Sequence, residues 1–373
     1  MIVYPEEFNR RKQALFEALA QADGGRRRFW LAPMGWRDWP ETEARVALAL
    51  ARAKKPGRSA LARWLKRRLL RAQYNGARRY FTRHPDHLAV AWNGLTGTRK
   101  LFLDAARDAG APVLHAELAP LPGRITLDPA GVNAESSVPR EAGFFRDWLA
   151  AQGPGADWRA MGAGLQARPS RRADVAQETG ALPDTPFLFC PLQVPDDSQV
   201  RLFSGWCGGY AGFLAALTEA VAHLPEGWHL RLKEHPSARE SLAGALQPLL
   251  ATGRAVLDNS HDSFAQLAQA RGLVTLNSSM GLQAFFHDKP VIVLGRALFD
   301  LPGLVTRCAG QADVNAAFAG GTGFDPALRA AFMTWLDRVY YPRFDPAAPD
   351  AAALAPWIAR ARASQSVRSR EKA

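Results

Sequence analysis

Residues 272–303 read GLVTLNSSMGLQAFFHDKPVIVLGRALFDLPG, and this stretch decides the fold. Residues 273–276 form a short apolar run with β-branched members, the mark of a buried strand. Asn277, Ser278 and Ser279 follow at once, and such residues are favoured where a helix starts. Met280, Leu282, Ala284, Phe285 and Phe286 supply a helix just long enough to cross over. Lys289-Pro290 stops it, because the residue before a proline avoids helical backbone. Residues 291–294 are the next strand, and Gly295 opens the loop after it. Strand, helix and strand in this order imply a parallel sheet. Ligands of such sheets bind outside the carboxyl ends of the strands. Ser278 and Ser279 fall there, where N–H groups and hydroxyls suit an anion.

The same rhythm extends on both sides. Residues 187–192 (FLFCPL) and 228–233 (WHLRLK) read as strands, 255–257 as a third, and 210–223 and 263–270 as helices. Three loops should therefore converge: Gln193 to Asp197, Lys233-Glu234-His235-Pro236, and Ser278-Ser279. Lys233 and His235 add donors beside the serines, and together they describe a place for a phosphate. The bland alternatives are a satisfied loop histidine and simple helix capping.

The first half repeats the pattern. Residues 29–33 (FWLAP) look like the first buried strand, 88–92 the second, 98–109 a helix and 113–116 a third strand ending at Glu117. Residues 118–140 read as a long loop carrying Asp128. Residues 168–184 are polar and proline-bearing and read as a linker. The boundaries implied are an N-terminal α/β domain over 1–180, a second over 181–345 and a basic, frayed tail over 346–373. At 373 residues the chain is long enough for two domains.

Charge is the unusual feature, with 47 basic against 35 acidic residues and a net charge of +12. Residues 51–85 hold twelve Lys or Arg and no acid. Leu61, Trp64, Leu65 and Leu69 recur among them at helical spacing, so part of this insertion is a basic amphipathic helix. Such a helix suits an anionic membrane surface. A solvated helix is the plain alternative. Nucleic acid ranks last, since no motif for it accompanies the run. No apolar stretch reaches the length of a membrane span, and the first residues lack the apolar segment of a signal peptide. A cytoplasmic protein, peripheral at the inner membrane face, is the expectation. The three cysteines, Cys190, Cys207 and Cys308, are in no metal-binding spacing.

No GxxxxGK[ST], no GxGxxG after a strand, and no HExxH, CxxC or GxSxG occurs, which disfavours the commonest nucleotide, zinc and serine-hydrolase chemistries. What remains is a resemblance. RLKEHPSARE, the 272–303 stretch, PFLFCPLQVPDDSQV and AELAPLPGRITLDPAGVNAESS together resemble the capsular polysaccharide biosynthesis proteins of the KpsS and KpsC type, over roughly residues 88–305. The length resembles the single-module KpsS type.

The resemblance implies two Rossmann-like domains facing across a cleft, the glycosyltransferase-B arrangement. It implies a retaining β-Kdo transferase that moves Kdo from CMP-Kdo to a phosphatidylglycerol-type lipid and starts the capsule linker, with no cofactor or metal. Bacterial sialyltransferases share an HP and a Ser-Ser/Thr motif that hold CMP. On that likeness His235, Pro236, Ser278 and Ser279 would hold the CMP phosphate, with Lys233 beside them and Gln193 and Asp197 facing the same cleft. Retention by two displacements needs two carboxylates. Glu117 and Asp128 are the candidates, in either order. An anionic lipid through the Lys54–Arg83 segment, and other capsule assembly and export proteins, would be the partners. The alternatives are the same fold with another nucleotide sugar, or a non-catalytic capsule assembly protein.

Overall fold

The computed structural model describes residues 1–53, 57–153, 157–167 and 169–370, with side chains placed up to 365. Lys54, Lys55 and Arg168 lie outside the described residues. The chain divides into two units: residues 1–119, 123–138 and 338–373 form unit 1, and residues 120–122 and 139–337 form unit 2.

Unit 1 is built from β1 (Ile2–Pro5), α1 (Arg10–Ala22), β2 (Arg26–Phe29), α2 (Thr42–Ala51), α3 (Ala60–Arg83), β3 (Leu88–Trp92), α4 (Gly97–Asp108), β4 (Val113–Leu118) and β5 (Ile125–Asp128). Its sheet has five strands in the order β2-β1-β3-β4-β5. The first four run parallel and β5 returns antiparallel against β4. Alternation along the strands feeds two cores. Ile2, Tyr4, Leu88, Val90 and Trp92 face α1 and its neighbours, whereas Val3, Ala89 and Ala91 face α2, α3 and α4. That two-sided burial is why these strands read as continuous apolar runs.

Unit 2 contains α5 (Ala142–Gln152), β6 (Phe187–Pro191), α6 (Ser198–Phe203), α7 (Tyr210–Ala220), β7 (His229–Lys233), α8 (Ala243–Leu250), β8 (Ala255–Leu257), α9 (Ser263–Gln269), β9 (Gly272–Thr275), α10 (Met280–Gln283), β10 (Val291–Val293), β11 (Thr306–Arg307), α11 (Gln311–Phe318) and α12 (Pro326–Trp335). Its six strands are parallel throughout and ordered β11-β10-β9-β6-β7-β8. The order reverses between β6 and β9, which makes their carboxyl ends the switch point where such sheets bind ligands.

Four expectations change. The first strand is β1, and the FWLAP stretch contributes only Phe29; Trp30 and Leu31 are exposed, because the sheet edge ends there. The 118–140 loop contains β5, held by pairing with β4. The tail is not frayed over the part described. The last helix, α13 (Ala355–Arg370), packs Ile358 and Ala361 against Ile2, Phe16 and Leu114, and Arg362 pairs with Asp23 at 2.8 Å. The unit division falls near residue 138 rather than 180, since the described residues between 139 and 180 cluster with unit 2.

Candidate functional site

The site of unit 2 begins with a clasp across its switch point. Gln193, just past β6, donates from Nε2 to Asn277 Oδ1 at 2.9 Å, and the Asn277 N–H donates back to Gln193 Oε1 at 3.2 Å. Asn277 then donates from Nδ2 to the carbonyls of Gln199 and Phe203 at 3.0 and 3.1 Å. One buried asparagine thus ties β9, β6 and α6 together, each bond worth about 1 kcal/mol. Gly295 closes the same corner. A Cβ on it would stand 2.6 Å from the Phe203 carbonyl oxygen and 2.9 Å from that of Leu276, so only glycine fits.

Beside this corner lies a hollow of about 110 Å³ bordered by Lys233, His235, Pro236, Ser278, Ser279 and Phe264, among others. His235 Nδ1 accepts from the Ser237 N–H at 3.0 Å, which leaves Nε2 carrying the proton of the neutral ring. Ser278 Oγ accepts from the Met280 N–H at 3.2 Å and keeps its own proton to donate. Ser279 is exposed and makes no side-chain cap bond. The helix that follows, α10, is a single turn continued as a tighter 3₁₀ turn, so the helix dipole adds less than the sequence suggested. The hydroxyls and the imidazole are the donors.

Lys233 differs from expectation. Its ammonium is buried and donates to the carbonyls of Ala176 and Asn259 at 2.8 and 3.0 Å, and burial lowers its pKa. Two of its three protons are therefore structural. Its neighbour Glu234, not singled out in the sequence, is buried as well. It accepts from Arg172 at 2.6 Å and from Asn259 Nδ2 at 3.2 Å. The supposed linker is therefore anchored: Arg171 N–H donates to the Pro236 carbonyl at 2.8 Å and Ala176 N–H to that of Asn259 at 2.7 Å. It straps the ends of β7 and β8. Its charges hid this, because a polar stretch reads the same whether it is solvated or bonded to a backbone.

Two other expected residues do not border the hollow. Gln193 is consumed by the clasp. Asp197 caps α6, its Oδ1 accepting from the Gln199 N–H at 2.8 Å. Helix capping, the plain reading, is what this carboxylate does.

In unit 1 the two candidate carboxylates part ways. Asp128 is fully buried, with 0% exposure. Its oxygens accept from the N–H groups of Ala130, Gly131 and Ser137 and from the hydroxyls of Ser137 and Tyr340, at 2.7–3.1 Å. A carboxylate so saturated is a structural hub, not the nucleophile or acid/base that the sequence offered as its role. Glu117 stands at the carboxyl end of β4, partly exposed, with Asn93 Nδ2 donating to its Oε2 at 2.7 Å. Asn93 adopts a left-handed φ of 60°, which turns the chain sharply after β3. Glu7, which the sequence reading passed over, follows β1 and is buried between Arg99 and Lys12. It was invisible because β1 itself was missed.

Comparison with known proteins bears on this arrangement. Residues 159–317, which hold the whole hollow, match the family described as "Capsule polysaccharide biosynthesis protein". Over this segment the chain is a member of that family. Protein FixF of Sinorhizobium fredii is 30% identical over 254 residues, 68% of this chain and 60% of FixF. The capsule polysaccharide modification protein LipB of Neisseria meningitidis is 32% identical over 126 residues, 32% of this chain and 30% of LipB. The matched part of the chain thus spans less than two thirds of these relatives, 60% of FixF and 30% of LipB. Among solved structures, KpsC of Thermosulfurimonas dismutans, a β-Kdo 2,7 transferase, aligns over 96% of this chain and 98% of its own with a TM-score of 0.51 and 12% identity. At that identity the likeness is one of fold, and the fold is of the glycosyltransferase-B type.

Proposed function

We propose that this protein is a glycosyltransferase of capsule polysaccharide biosynthesis that takes Kdo from CMP-Kdo and transfers it, with retention, to a phosphatidylglycerol-type lipid. The observation that carries the reading is the gathering of His235, Ser278 and Ser279 around one hollow beside the β6/β9 switch point. Such a hollow suits a phosphate, and the family segment contains all of it. The choice of Kdo is motivated by what the similarly folded KpsC transfers.

In the reaction the bond from the anomeric carbon to the phosphate oxygen breaks, and its electron pair leaves on CMP. His235 Nε2–H and the serine hydroxyls would stabilise that leaving phosphate, interactions that strengthen as its charge grows. Retention takes two displacements: a carboxylate first forms an ester with the anomeric carbon as CMP leaves, and the acceptor oxygen then displaces that carboxylate, its proton passing to the departed phosphate. Glu117 is the carboxylate we assign to the sugar-transfer step.

The decisive experiment is a mass-spectrometric transfer assay with CMP-Kdo, generated in place, and a short-chain phosphatidylglycerol. The expected product is heavier by one Kdo and is absent with His235→Ala. Lack of product, with CMP but not UDP raising the melting temperature, would move the reading to another CMP sugar or acceptor. A melting temperature raised by UDP alone would overturn the CMP donor. Neither product nor nucleotide binding would leave a non-catalytic assembly protein.

A further inference from the structure

Helix α3 carries two apolar faces. Leu70, Tyr74, Ala77 and Phe81 point into the unit 1 core. On the opposite side, helical spacing aligns Leu61, Leu65, Leu69, Ala72, Gly76, Arg79 and Arg83 in one stripe. The middle of this stripe is covered. The Gly35 N–H donates to the Ala72 carbonyl at 2.8 Å, and a Cβ on Gly76 would lie 2.1 Å from the Pro33 carbonyl oxygen. The loop after β2 can reach the helix only because residue 76 is glycine.

The two ends of the stripe are bare. At the start, Leu61 is 65% exposed and Leu65 53%, with Trp64 beside them under the Arg68 guanidinium. The covering loop adds Trp30 at 69%, Leu31 at 82% and Trp36 at 86%. At the far end, Trp36, Arg37, Trp39, Arg79, Thr82 and Arg83 border a hollow of about 400 Å³. Among the described residues neither Arg37 nor Arg83 has an acidic partner, and Arg79 donates only to the Met34 carbonyl. The hollow's one acid, Asp38, is already engaged by Arg71 and Asn75.

We propose that this face of unit 1 docks on an anionic lipid bilayer, the arginine hollow taking a phosphate headgroup while the leucines and tryptophans enter the interfacial layer. Charge complementarity selects the occupant. Three guanidiniums with no acidic partner among the described residues, beside an Asp38 already engaged by Arg71 and Asn75, want a phosphate. Exposed leucines on successive turns want an apolar medium next to it, which a nucleic acid does not offer. No described helix is long and apolar enough to span a membrane, so the mode is interfacial. The proposal does not rest on sugar transfer and is tested without a sugar donor.

The test is co-sedimentation of the whole protein with vesicles of phosphatidylcholine alone or mixed with phosphatidylglycerol. The wild type is expected to prefer the mixed vesicles by about tenfold or more, with tryptophan fluorescence quenched by brominated acyl chains. Arg37→Ser/Arg79→Ser/Arg83→Ser should abolish the preference. Trp36→Ser/Leu61→Ser/Leu65→Ser should lose binding to both vesicles. Both variants should keep the wild-type circular dichroism spectrum, and the changes are at exposed positions. Should either misfold, lipid quenching of the wild type decides. Absence of quenching, vesicle binding equal in all three proteins, or binding of a single-stranded RNA oligonucleotide with no binding to vesicles would overturn the proposal.

Discussion

At the scale of single residues, a carboxylate's partners separate structure from chemistry. Asp128 accepts five hydrogen bonds in a fully buried site, and Asp128→Asn replaces one acceptor oxygen with a donor amide facing other donors. We expect a loss of about 2–4 kcal/mol in denaturant unfolding, with residual turnover following the folded fraction. Glu117→Gln should do the reverse, lowering kcat by about 100-fold or more while the melting temperature stays put. Equal stability loss in both variants would remove Glu117 from the mechanism. The thiols give a pH-dependent test. Burial pushes Cys207 up to about 11 and Cys308 up to about 12, and raises Cys190 further. Raised thiol pKa values stabilise the fold below the ordinary thiol range, and that contribution is lost as pH climbs through 9 to 12. At pH 8 a thiol reagent should therefore label the native protein negligibly and the denatured protein at three sites.

At the scale of elements, β6, β9 and α6 act as one piece because Asn277 bonds to all three. Asn277→Asp sets a carboxylate against two carbonyl oxygens. The expected outcome is a destabilisation of about 2–4 kcal/mol together with weakened CMP binding in a thermal-shift titration. A stable variant that binds CMP normally would show that the corner is not what positions the hollow. Lys233→Met probes the strap over β7. It should free residues 170–178, seen as faster amide hydrogen exchange there, with the sheet core still protected.

At the scale of the whole molecule, unit 1 is discontinuous, and its core is completed by the chain's last helix. Leu354, Ile358 and Ala361 fill the face made by Ile2, Phe16 and Leu114. A protein cut after Asp345 should unfold unit 1 at a lower temperature than the full chain and expose apolar surface to a reporter dye. Unchanged melting of the truncated protein would contradict this role for α13.

Much of this was legible in the sequence. Continuous apolar runs separated by short crossover helices specify parallel sheets, because helices cover both faces of such strands. The strand ends then bring His235, Ser278 and Ser279 together whatever lies between them. Residues whose role depends on distant partners could not be read. Asp128 looked like Glu117 until Ser137 and Tyr340 were placed around one of them. Lys233 looked like a phosphate ligand until two carbonyls claimed it. Pairing across many residues in sequence carries no local signature, so the tertiary structure alone decided which charges are struts and which stay open to a ligand.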